Sequence, residues 1–295
     1  MRFLFLISIW SLGFVPVAAV AAAQDTFLPP APPGPPVGVR AAGMSGAFTA
    51  VADDASAVFW NPAGLAKGAF FGLMIDRNTF DEGTAGAIAL VTPAVGLSYY
   101  RTATGEFLGS RDGFVTHNAG LTIVHSLTSS ISVGTTWKLV QGEAATFSTN
   151  KFDADLGVMA AGSVGKIGVS VRNLFEPKFT APGGLIQLDR QIRLGLALNI
   201  TRESIVTADV DLTETAIPRG DLRDVAFGGE AHAVKKLWLR GGYRWNAAGG
   251  PAPSAATYSF GGSYAFYGRT MADGQVTLGS EDGNRGWGVG IRFVF

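Results

Sequence analysis

The chain has 295 residues, of which 47% are hydrophobic and 16% are charged, and it contains 40 glycines and no cysteine. Basic and acidic residues are equal at 23 each, and this formal net charge of zero excludes a strongly basic nucleic-acid-binding protein. The lack of cysteine excludes disulfide scaffolds, thiolate zinc sites, cysteine nucleophiles and iron–sulfur clusters. The low charge content leaves two classes, an unusually apolar soluble protein or a membrane protein.

The first 23 residues have the pattern of a secretory signal peptide. Arg2 precedes an apolar run over residues 3–20, which Pro16 interrupts, and residues 21–23 are small alanines suited to cleavage. A membrane anchor is the alternative, since the run is just long enough to span. No other stretch of about 18 apolar residues follows. A membrane-spanning body must therefore be a β-barrel, the other fold that satisfies every backbone group in lipid.

The segment after the signal peptide divides into two parts of different composition. Residues 24–40 contain six prolines in one stretch of eight and are expected to form an extended spacer. Residues 41–66 are rich in glycine and alanine, which lets them pack with little bulk. In this second part Asp53 or Asp54 is expected to cap a short helical turn starting at Ala55. The turn should end near Trp60, because the proline at position 62 disfavours helical geometry in the residue before it.

Residues 67–295 alternate between apolar and small or polar side chains, with the two-residue period of β-strands. Over residues 190–201, for example, Leu194 and Leu196 share one face and Arg193 lies on the other. Strands of about ten residues use most of this region, so the loops between them are expected to be short. Fourteen strands are predicted, near residues 69–76, 84–91, 95–101, 114–126, 131–141, 152–161, 166–173, 190–200, 205–212, 224–234, 237–245, 257–266, 269–278 and 286–295.

The two faces of these strands indicate a membrane barrel. In a soluble β-sandwich, which is the alternative, the apolar face points inward. In an outer-membrane barrel the apolar face meets lipid and the polar face lines the lumen. Aromatic residues at strand ends, Tyr99 and Tyr100 among them, resemble the interfacial girdles of such barrels. The opposite face carries charges of both signs, and the predicted lumen charges are Lys138, Arg193, Asp209, Asp211, Glu230, Arg240, Arg244 and Arg292.

The last predicted strand ends in alternating aromatic residues, Phe293 and Phe295. This ending resembles the C-terminal signal that the outer-membrane assembly machinery reads. We therefore expect the assembly machinery and the lipid bilayer as partners. The expected location is the outer membrane of a Gram-negative type envelope, after cleavage of the signal peptide.

Residues 43–65 resemble the N-terminal signature of the FadL/PorV group of outer-membrane barrels. The matching features are a glycine-rich stretch, an Ala-Asp-Asp-Ala-Ser-Ala run over residues 52–57 and an Asn-Pro-Ala-Gly turn over residues 61–64. The resemblance implies an all-β fold, a transmembrane antiparallel barrel of about fourteen strands over residues 67–295 with a small hatch in its lumen. The predicted hatch and gating residues are Gly43, Gly46, Asp53, Asp54, Asn61, Pro62, Ala63 and Gly64.

The resemblance also implies a function. In the fatty-acid transporter branch, hydrophobic substrates pass the hatch and leave sideways through an opening in the wall, whereas the PorV branch supports protein secretion. We expect passive, plug-gated uptake of a hydrophobic small molecule, of the long-chain fatty-acid type, without a cofactor, a metal or a nucleic-acid partner. The alternative is an accessory barrel that docks secretion or envelope proteins. Gly72, Pro93 and Gly96 are candidate kinks for a wall opening, because proline and glycine disrupt a ladder.

Two further hypotheses concern polar residues. Asp53 and Asp54 are expected to pair with the lumen arginines at positions 240, 244 or 292 and so hold the hatch in place. Asp209 and Asp211, on one strand face, are expected to form lumenal ion pairs with a nearby arginine. A less favoured third function is a lipid-modifying enzyme built around His232, which shares a face with Glu230. No nucleophile-elbow motif is present, and no catalytic residue is assigned.

Overall fold

The computed structural model describes residues 35–105, 113–144, 147–181, 184–217, 220–248, 256–280 and 285–295. The predicted signal peptide and residues 24–34 of the predicted spacer lie outside these ranges. Among the described residues, no helix is long and apolar enough to cross a membrane.

The described residues form two short α-helices, one 3-10 turn and eighteen strands. The helices are α1 (Val39–Ala42) and α2 (Ala57–Trp60), and the 3-10 turn is Pro62–Lys67. The strands are β1 (Gly72–Phe80), β2 (Gly83–Val91), β3 (Val95–Thr104), β4 (Val115–Ser126), β5 (Ile131–Ala144), β6 (Phe147–Ala161), β7 (Gly165–Arg172), β8 (Lys178–Ala181), β9 (Gly184–Gln187), β10 (Gln191–Asn199), β11 (Ser204–Asp211), β12 (Thr215–Ile217), β13 (Gly220–Leu222), β14 (Asp224–Val234), β15 (Leu237–Asn246), β16 (Thr257–Tyr267), β17 (Thr270–Gly279) and β18 (Gly286–Val294).

Fourteen of these strands close into one antiparallel barrel. Each pairs with the next barrel strand along the chain, and β18 pairs back with β1 to close the wall. The remaining four strands form two separate hairpins, β8–β9 and β12–β13. The predicted fold class is confirmed, and every predicted strand corresponds to one strand of the barrel. The two hairpins correct one expectation, since they lie in connections that were expected to be short loops.

The two ends of the barrel differ in their connections. At one end, which we call the short-turn end, adjacent strands are joined by turns of two to four residues; these turns are residues 92–94, 127–130, 162–164, 200–203, 235–236 and 268–269. The opposite end, the long-loop end, carries both hairpins. Outer-membrane barrels place short turns toward the periplasm and longer loops toward the outside. This chain has the same division into a short-turn end and a long-loop end.

The outer face of the wall is apolar and the inner face is polar or small, as predicted. In β10, Leu196 is 48% exposed whereas Arg193 is 8% exposed. The exposed leucine meets the surrounding medium because successive side chains of a strand point to opposite faces. Tyr100 is an exception to the predicted aromatic girdle. It points into the lumen, is buried, and packs against Phe59 with ring centroids 5.4 Å apart.

The expected kinks in the early strands are absent. β1 and β2 pair in unbroken register, and so do β2 and β3. Gly72 pairs with Val91, Gly96 also pairs with Val91, and Pro93 lies in the turn between β2 and β3. These strands are fully described and contain no opening. The register shifts that do occur lie in the β14–β15 and β16–β17 hairpins, near the short-turn end.

Residues 35–68, which we call the plug segment, precede the first strand and lie inside the barrel. Phe48, Met44 and Leu65 are fully buried in the same apolar cluster as wall residues such as Val91 and Met74. Helix α1 begins at Val39, so the packed segment starts inside the range that was expected to be an extended spacer.

Candidate functional site

Local turns shape the plug segment. Helix α1 ends before a reversal at Ser45 and Gly46, which have φ angles of 53° and 79°. This left-handed region favours glycine. The Asp54 carboxylate accepts a hydrogen bond from the backbone N–H of Ser56 at 2.9 Å, just before α2, and α2 ends at Trp60. The predicted end of this turn is confirmed. The predicted cap is wrong, because α2 begins at Ala57 with Ser56 as its N-cap residue and has no side-chain capping hydrogen bond, so that the Asp54–Ser56 bond belongs to the turn ahead of the helix.

The Asn61 side chain forms hydrogen bonds with three parts of the site. Its amide nitrogen donates to the carbonyl of Thr49 at 2.9 Å and to the carbonyl of Val158 in the wall at 3.2 Å. Its side-chain oxygen accepts from the backbone N–H of Ala63 at 3.2 Å, at the start of the 3-10 turn. Proline fits the first turn of such a helix because the missing N–H needs no partner there. The Asn-Pro-Ala-Gly turn is thus a connection between the plug segment and the wall.

Wall side chains also hold the backbone of the plug segment. The Asp209 carboxylate accepts hydrogen bonds from the N–H groups of Phe48 at 3.0 Å and Thr49 at 2.8 Å. The hydroxyl of Ser132 donates to the carbonyl of Ala63 at 2.9 Å. Charge-assisted bonds to a carboxylate are stronger than neutral ones. The plug segment is therefore bonded to strands on several sides of the barrel.

Glycines on the inner face of the wall make room for this backbone. A Cβ atom at Gly157 would lie 2.2 Å from Oδ1 of Asn61, and one at Gly242 would lie 2.3 Å from the carbonyl carbon of Met44. Similar close approaches occur at Gly134, Gly168, Gly195 and Gly228. Within the plug segment itself, a Cβ at Gly64 would lie 1.6 Å from the carbonyl oxygen of Ala52. The wall and the plug segment are shaped to each other.

A cluster of charged side chains joins the plug segment to the wall near the short-turn end. We call it the latch cluster; its members are Arg40, Asp53 and Asp54 of the plug segment and Lys166, Glu230, Arg240, Asp273 and Arg292 of the wall. Arg40 contacts Glu230 through two nitrogens, at 2.8 and 2.9 Å, and Asp53 at 2.6 Å. The Asp54 carboxylate accepts a hydrogen bond from the Arg292 guanidinium at 3.1 Å. The ammonium group of Lys166 lies 3.2 Å from the Asp53 carboxylate.

Burial and mutual attraction oppose each other in the latch cluster. Burial raises the pKa of the Asp54 carboxyl, but Arg40 and Arg292 outweigh this effect and lower the pKa to about 2. Burial lowers the pKa of the Arg40 guanidinium, but Glu230, Asp53 and Asp54 raise it well above its ordinary value. These directions follow from opposite charges held close together. Both side chains are therefore charged at neutral pH.

A second group of charges lies nearer the long-loop end. Lys138 is buried between Asp155 at 2.8 Å and Asp153 at 3.1 Å. Arg193 contacts Asp211 at 2.5 and 2.8 Å. The guanidinium of Arg193 also lies 5.6 Å from the ring centre of Trp60 in the plug segment. Arg172 lies over the neighbouring ring of Phe59 at 4.5 Å. Cations over aromatic faces add attraction between wall and plug segment.

The predicted pairings are partly right. Asp54 pairs with Arg292, as expected, but Arg240 contacts Glu230 at 3.0 Å and Arg244 contacts Asp224 at 3.4 Å, so neither reaches the aspartates of the plug segment. Asp211 pairs with an arginine as predicted. Asp209 does not, since its hydrogen bonds go to the backbone of the plug segment.

Some members of the site were missed. Arg40 lies in the segment expected to be a spacer. Asp273 was not assigned to the lumen. It lies two residues before Gln275 in a predicted strand, so both polar side chains share one face, and this spacing could have placed Asp273 in the lumen. Asp273 contacts Arg292 at 2.5 Å.

His232 does not form the expected pair with Glu230. Glu230, the expected partner of His232, pairs instead with Arg40. The Nδ1 atom of His232 lies 3.7 Å from Glu203, and its ring stacks on Trp238 at 4.5 Å. The described contacts of His232 therefore do not form the expected acid–histidine arrangement. His117, on the outer face, bonds to the hydroxyl of Tyr99 at 2.6 Å.

A cavity of about 220 Å³ lies beside the latch cluster. Its apolar side is formed by residues of the wall, including Leu73, Val91, Met271 and Phe293. Its polar side is formed by six members of the latch cluster, Arg40, Asp53, Asp54, Glu230, Arg240 and Arg292. The cavity is thus bounded by one apolar and one charged surface.

Comparison with known proteins identifies the architecture. No family model matches the chain, and no curated protein matches it. Among solved structures, the CymD monoaromatic hydrocarbon channel superimposes with a TM-score of 0.63 at 14% identity, covering 87% of this chain and 96% of that one. The toluene transporter TbuX of Ralstonia pickettii gives 0.63 at 12% identity, covering 88% and 98%. A FadL homologue of Pseudomonas aeruginosa gives 0.65 at 10% identity, covering 90% and 99%. This chain has the fold of the FadL-like outer-membrane barrels.

The FadL-like fold confirms the resemblance drawn from residues 43–65. The residues that carried the resemblance lie inside the barrel, at contacts between plug segment and wall. At 10–14% identity the likeness establishes the architecture, and the function is argued below from this chain's own residues.

Proposed function

We propose that this chain mediates passive, plug-gated uptake of small hydrophobic molecules across an outer membrane. The observation that carries the proposal is the cavity between the latch cluster and the apolar part of the wall. An apolar cavity of roughly 150 Å³ is large enough to bind benzene. The cavity beside the latch cluster, at about 220 Å³, therefore has room for a single-ring compound. A long-chain fatty acid requires the plug segment to move. That neighbours are named as toluene and monoaromatic hydrocarbon channels supports the smaller substrate class.

The route in this proposal runs past the plug segment. The early strands are paired without a gap, so passage depends on opening the latch cluster rather than on a preformed opening between them. Removing one partner of a buried ion pair costs about 3–5 kcal/mol. A cost of this size keeps open states rare. The predicted residues Gly43, Gly46, Asp53, Asp54, Asn61, Pro62, Ala63 and Gly64 act in this proposal as the parts that hold or release the plug segment.

The test uses proteoliposomes and two probes. Uptake of toluene and of a labelled long-chain fatty acid is measured together with KCl conductance, for the full barrel and for a variant lacking residues 41–66. The proposal predicts toluene uptake above that of protein-free liposomes with little conductance, and high conductance after the deletion. Uptake equal to that of protein-free liposomes for both probes contradicts the proposal and favours the accessory-barrel alternative, in which secretion or envelope proteins dock on the barrel.

We also infer that residues 1–23 are cleaved as a signal peptide and that Phe293 and Phe295 take part in recognition by the assembly machinery. Support for the second role comes from the position of Phe295 at the short-turn end, where its ring lies 6.0 Å from that of Phe71. The variant Phe295→Ser should lower the amount of folded barrel in the outer membrane. An unchanged amount would contradict this role, and N-terminal sequencing of the mature protein tests the cleavage.

A further inference from the structure

A second cavity, of about 430 Å³, opens at the short-turn end of the barrel. It lies between two turns of two residues, the β14–β15 turn and the β16–β17 turn. Both hairpins carry a register shift next to the turn, between His232 and Val234 in one and between Ala265 and Tyr267 in the other. We call this cavity the rim pocket. It is lined by Lys235, Lys236, Trp238, Ala265, Phe266, Tyr267, Gly268, Arg269, Met271 and Val294.

The rim pocket is strongly cationic. Lys235, Lys236 and Arg269 line it, and none of its lining residues is acidic. Within the described part of the chain, the side chains of these three residues form no ion pair. The nearby carboxylates Glu230 and Asp273 are already engaged in the latch cluster. Three unneutralised cations around one cavity create an attractive field for an anion.

The other short turns lack this concentration of charge. The turns at residues 92–94, 127–130 and 162–164 contain no charged residue, and the turn at residues 200–203 carries one residue of each sign, Arg202 and Glu203. Among the short turns, those that carry basic residues without an acidic one are therefore confined to one sector of the rim, formed by β14 to β17. The basic residues of the rim pocket are thus a local cluster and not part of an even distribution of positive charge over all the short turns.

Apolar side chains continue from the rim pocket onto the lipid-facing wall. Phe266, which lines the pocket, is half exposed, and Tyr264 and Leu239 on the same outer face are equally exposed. On the inner side the pocket is lined by Trp238 and Met271. Aromatic residues of membrane barrels concentrate where acyl chains meet head groups. The rim pocket is thus lined by basic side chains and by apolar side chains that continue onto the outer surface of the barrel.

We propose that the rim pocket binds the head group of an anionic phospholipid from the leaflet that borders the short-turn end. The phosphate lies among Lys235, Lys236 and Arg269, and an acyl chain lies along Phe266, Tyr264 and Leu239. Clusters of lysine and arginine at the membrane surface attract anionic lipids, and basic pockets of this kind bind their head groups. A free phosphate ion matches only the cationic half of the site. A lipid matches both halves.

The test measures lipid binding to the full barrel by native mass spectrometry in detergent, with phosphatidylglycerol, phosphatidylcholine and inorganic phosphate as separate probes. The rim variant is the triple substitution Lys235→Gln, Lys236→Gln and Arg269→Gln. The control variant removes three cations elsewhere, by Lys67→Gln, Lys151→Gln and Arg202→Gln. Both variants have the same net charge, so the comparison isolates the place of the charges.

The proposal predicts that one phosphatidylglycerol binds to the native protein and to the control variant, and that the rim variant binds it about tenfold or more weakly. Phosphatidylcholine should bind the native protein more weakly than phosphatidylglycerol. Equal phosphatidylglycerol binding by the rim and control variants contradicts the proposal. Equal binding of both lipids, or displacement of the lipid by millimolar phosphate, contradicts it too. Binding is read without any uptake measurement, so failure of the uptake proposal would leave this result standing.

Discussion

Asp54 is the residue at which local structure, electrostatics and the proposed gating meet. It stabilises the turn before α2 through Ser56 and pairs with both Arg40 and Arg292. Hydrogen bonds to charged groups contribute about 1.5–3 kcal/mol each. This single carboxylate therefore couples the shape of the plug segment to its attachment.

The substitution Asp54→Asn should loosen the plug segment. Loss of one charged bond of about 1.5–3 kcal/mol corresponds to a rise of roughly 10- to 150-fold in the open population. A single cysteine introduced by Ala55→Cys, which lines the cavity, reports this as a faster reaction with a water-soluble maleimide, because the chain has no other cysteine. Asp221→Asn, the same change at an exposed residue of β13, serves as control. Equal rates in the two variants contradict the role of Asp54.

The stabilising effect of Asp54 should depend on pH. The pKa of this carboxyl is about 2 in the folded protein, below the usual value of about 3.9 in an unfolded chain. Its contribution is therefore fully present above about pH 4 and is lost as the pH falls through 2. The difference in Tm between the native protein and Asp54→Asn should be constant from pH 7 to about 4 and vanish toward pH 2. A difference that grows on acidification would contradict this assignment.

Gly64 tests the close packing of the plug segment. A Cβ atom at this position would lie 1.6 Å from the carbonyl oxygen of Ala52, so Gly64→Ala forces the backbone apart. Overpacking typically costs about 1–3 kcal/mol. We expect a lower Tm and a raised KCl conductance. Gly274→Ala in the wall is the control, since a Cβ there meets no atom within 4 Å. Equal behaviour of the two variants would show that the plug segment is loosely packed.

The sequence predicts which side chains face the lumen but not which partners they contact. Alternation along a strand assigns side chains to the lumen, and it placed Arg193 and Arg292 there correctly. It does not determine which partner a lumen charge finds, because that depends on how the plug segment folds. Asp209 illustrates this, since its partners are backbone groups of the plug segment rather than an arginine. Arg40 was missed because proline content dominated the interpretation of its segment.

At the scale of elements, the β8–β9 hairpin closes part of the long-loop end. Phe179 and Ile186 of this hairpin are fully buried, and Phe179 packs on Phe114 with ring centroids 5.6 Å apart. Val140 of β5 lies in the same apolar cluster. A Cβ at Gly142 would lie 2.6 Å from the ring of Phe179, so the hairpin lies directly against the inner wall.

Removal of the Phe179 ring should detach this hairpin without opening the barrel. Phe→Ala changes in a core cost about 3–5 kcal/mol, more than a short hairpin gains from its own pairing. In a Val140→Cys background, Phe179→Ala should make the cysteine reactive from the long-loop side, while the Tm of the barrel changes little. Phe175→Ala, at a half-exposed ring, is the control. If Val140→Cys stays unreactive in both backgrounds, the hairpin is held by other contacts.

The elements differ in how well the sequence predicts them. The fourteen barrel strands follow from a strict two-residue alternation that lipid on one side and lumen on the other impose on the wall. The β8–β9 and β12–β13 hairpins escaped because they are short and do not alternate against lipid. The early kinks were wrong for a related reason. Gly72 and Gly96 are glycines that make room for neighbouring side chains rather than glycines that break the ladder.

At the scale of the whole molecule, a closed barrel surrounds the plug segment, which is the moving part in the proposed uptake route. The wall is closed by continuous hydrogen bonding from β1 round to β18. The plug segment is held by side-chain contacts, which exchange more easily than a closed ladder of backbone bonds. Gating in the proposed uptake route therefore falls to the plug segment, and because the sequence contains no cysteine, one introduced disulfide can test it.

The most direct measurement is toluene uptake by the double variant Ala47→Cys and Gly228→Cys. A Cβ at Gly228 of β14 would lie 3.2 Å from the Cβ of Ala47, within a few tenths of an ångström of the roughly 3.5–4.5 Å that a disulfide requires. The two single-cysteine variants control for the added side chains. The account predicts that uptake is blocked when the pair is oxidised and returns to the rate of the single variants on reduction. Equal uptake in the oxidised and reduced states would contradict gating by the plug segment.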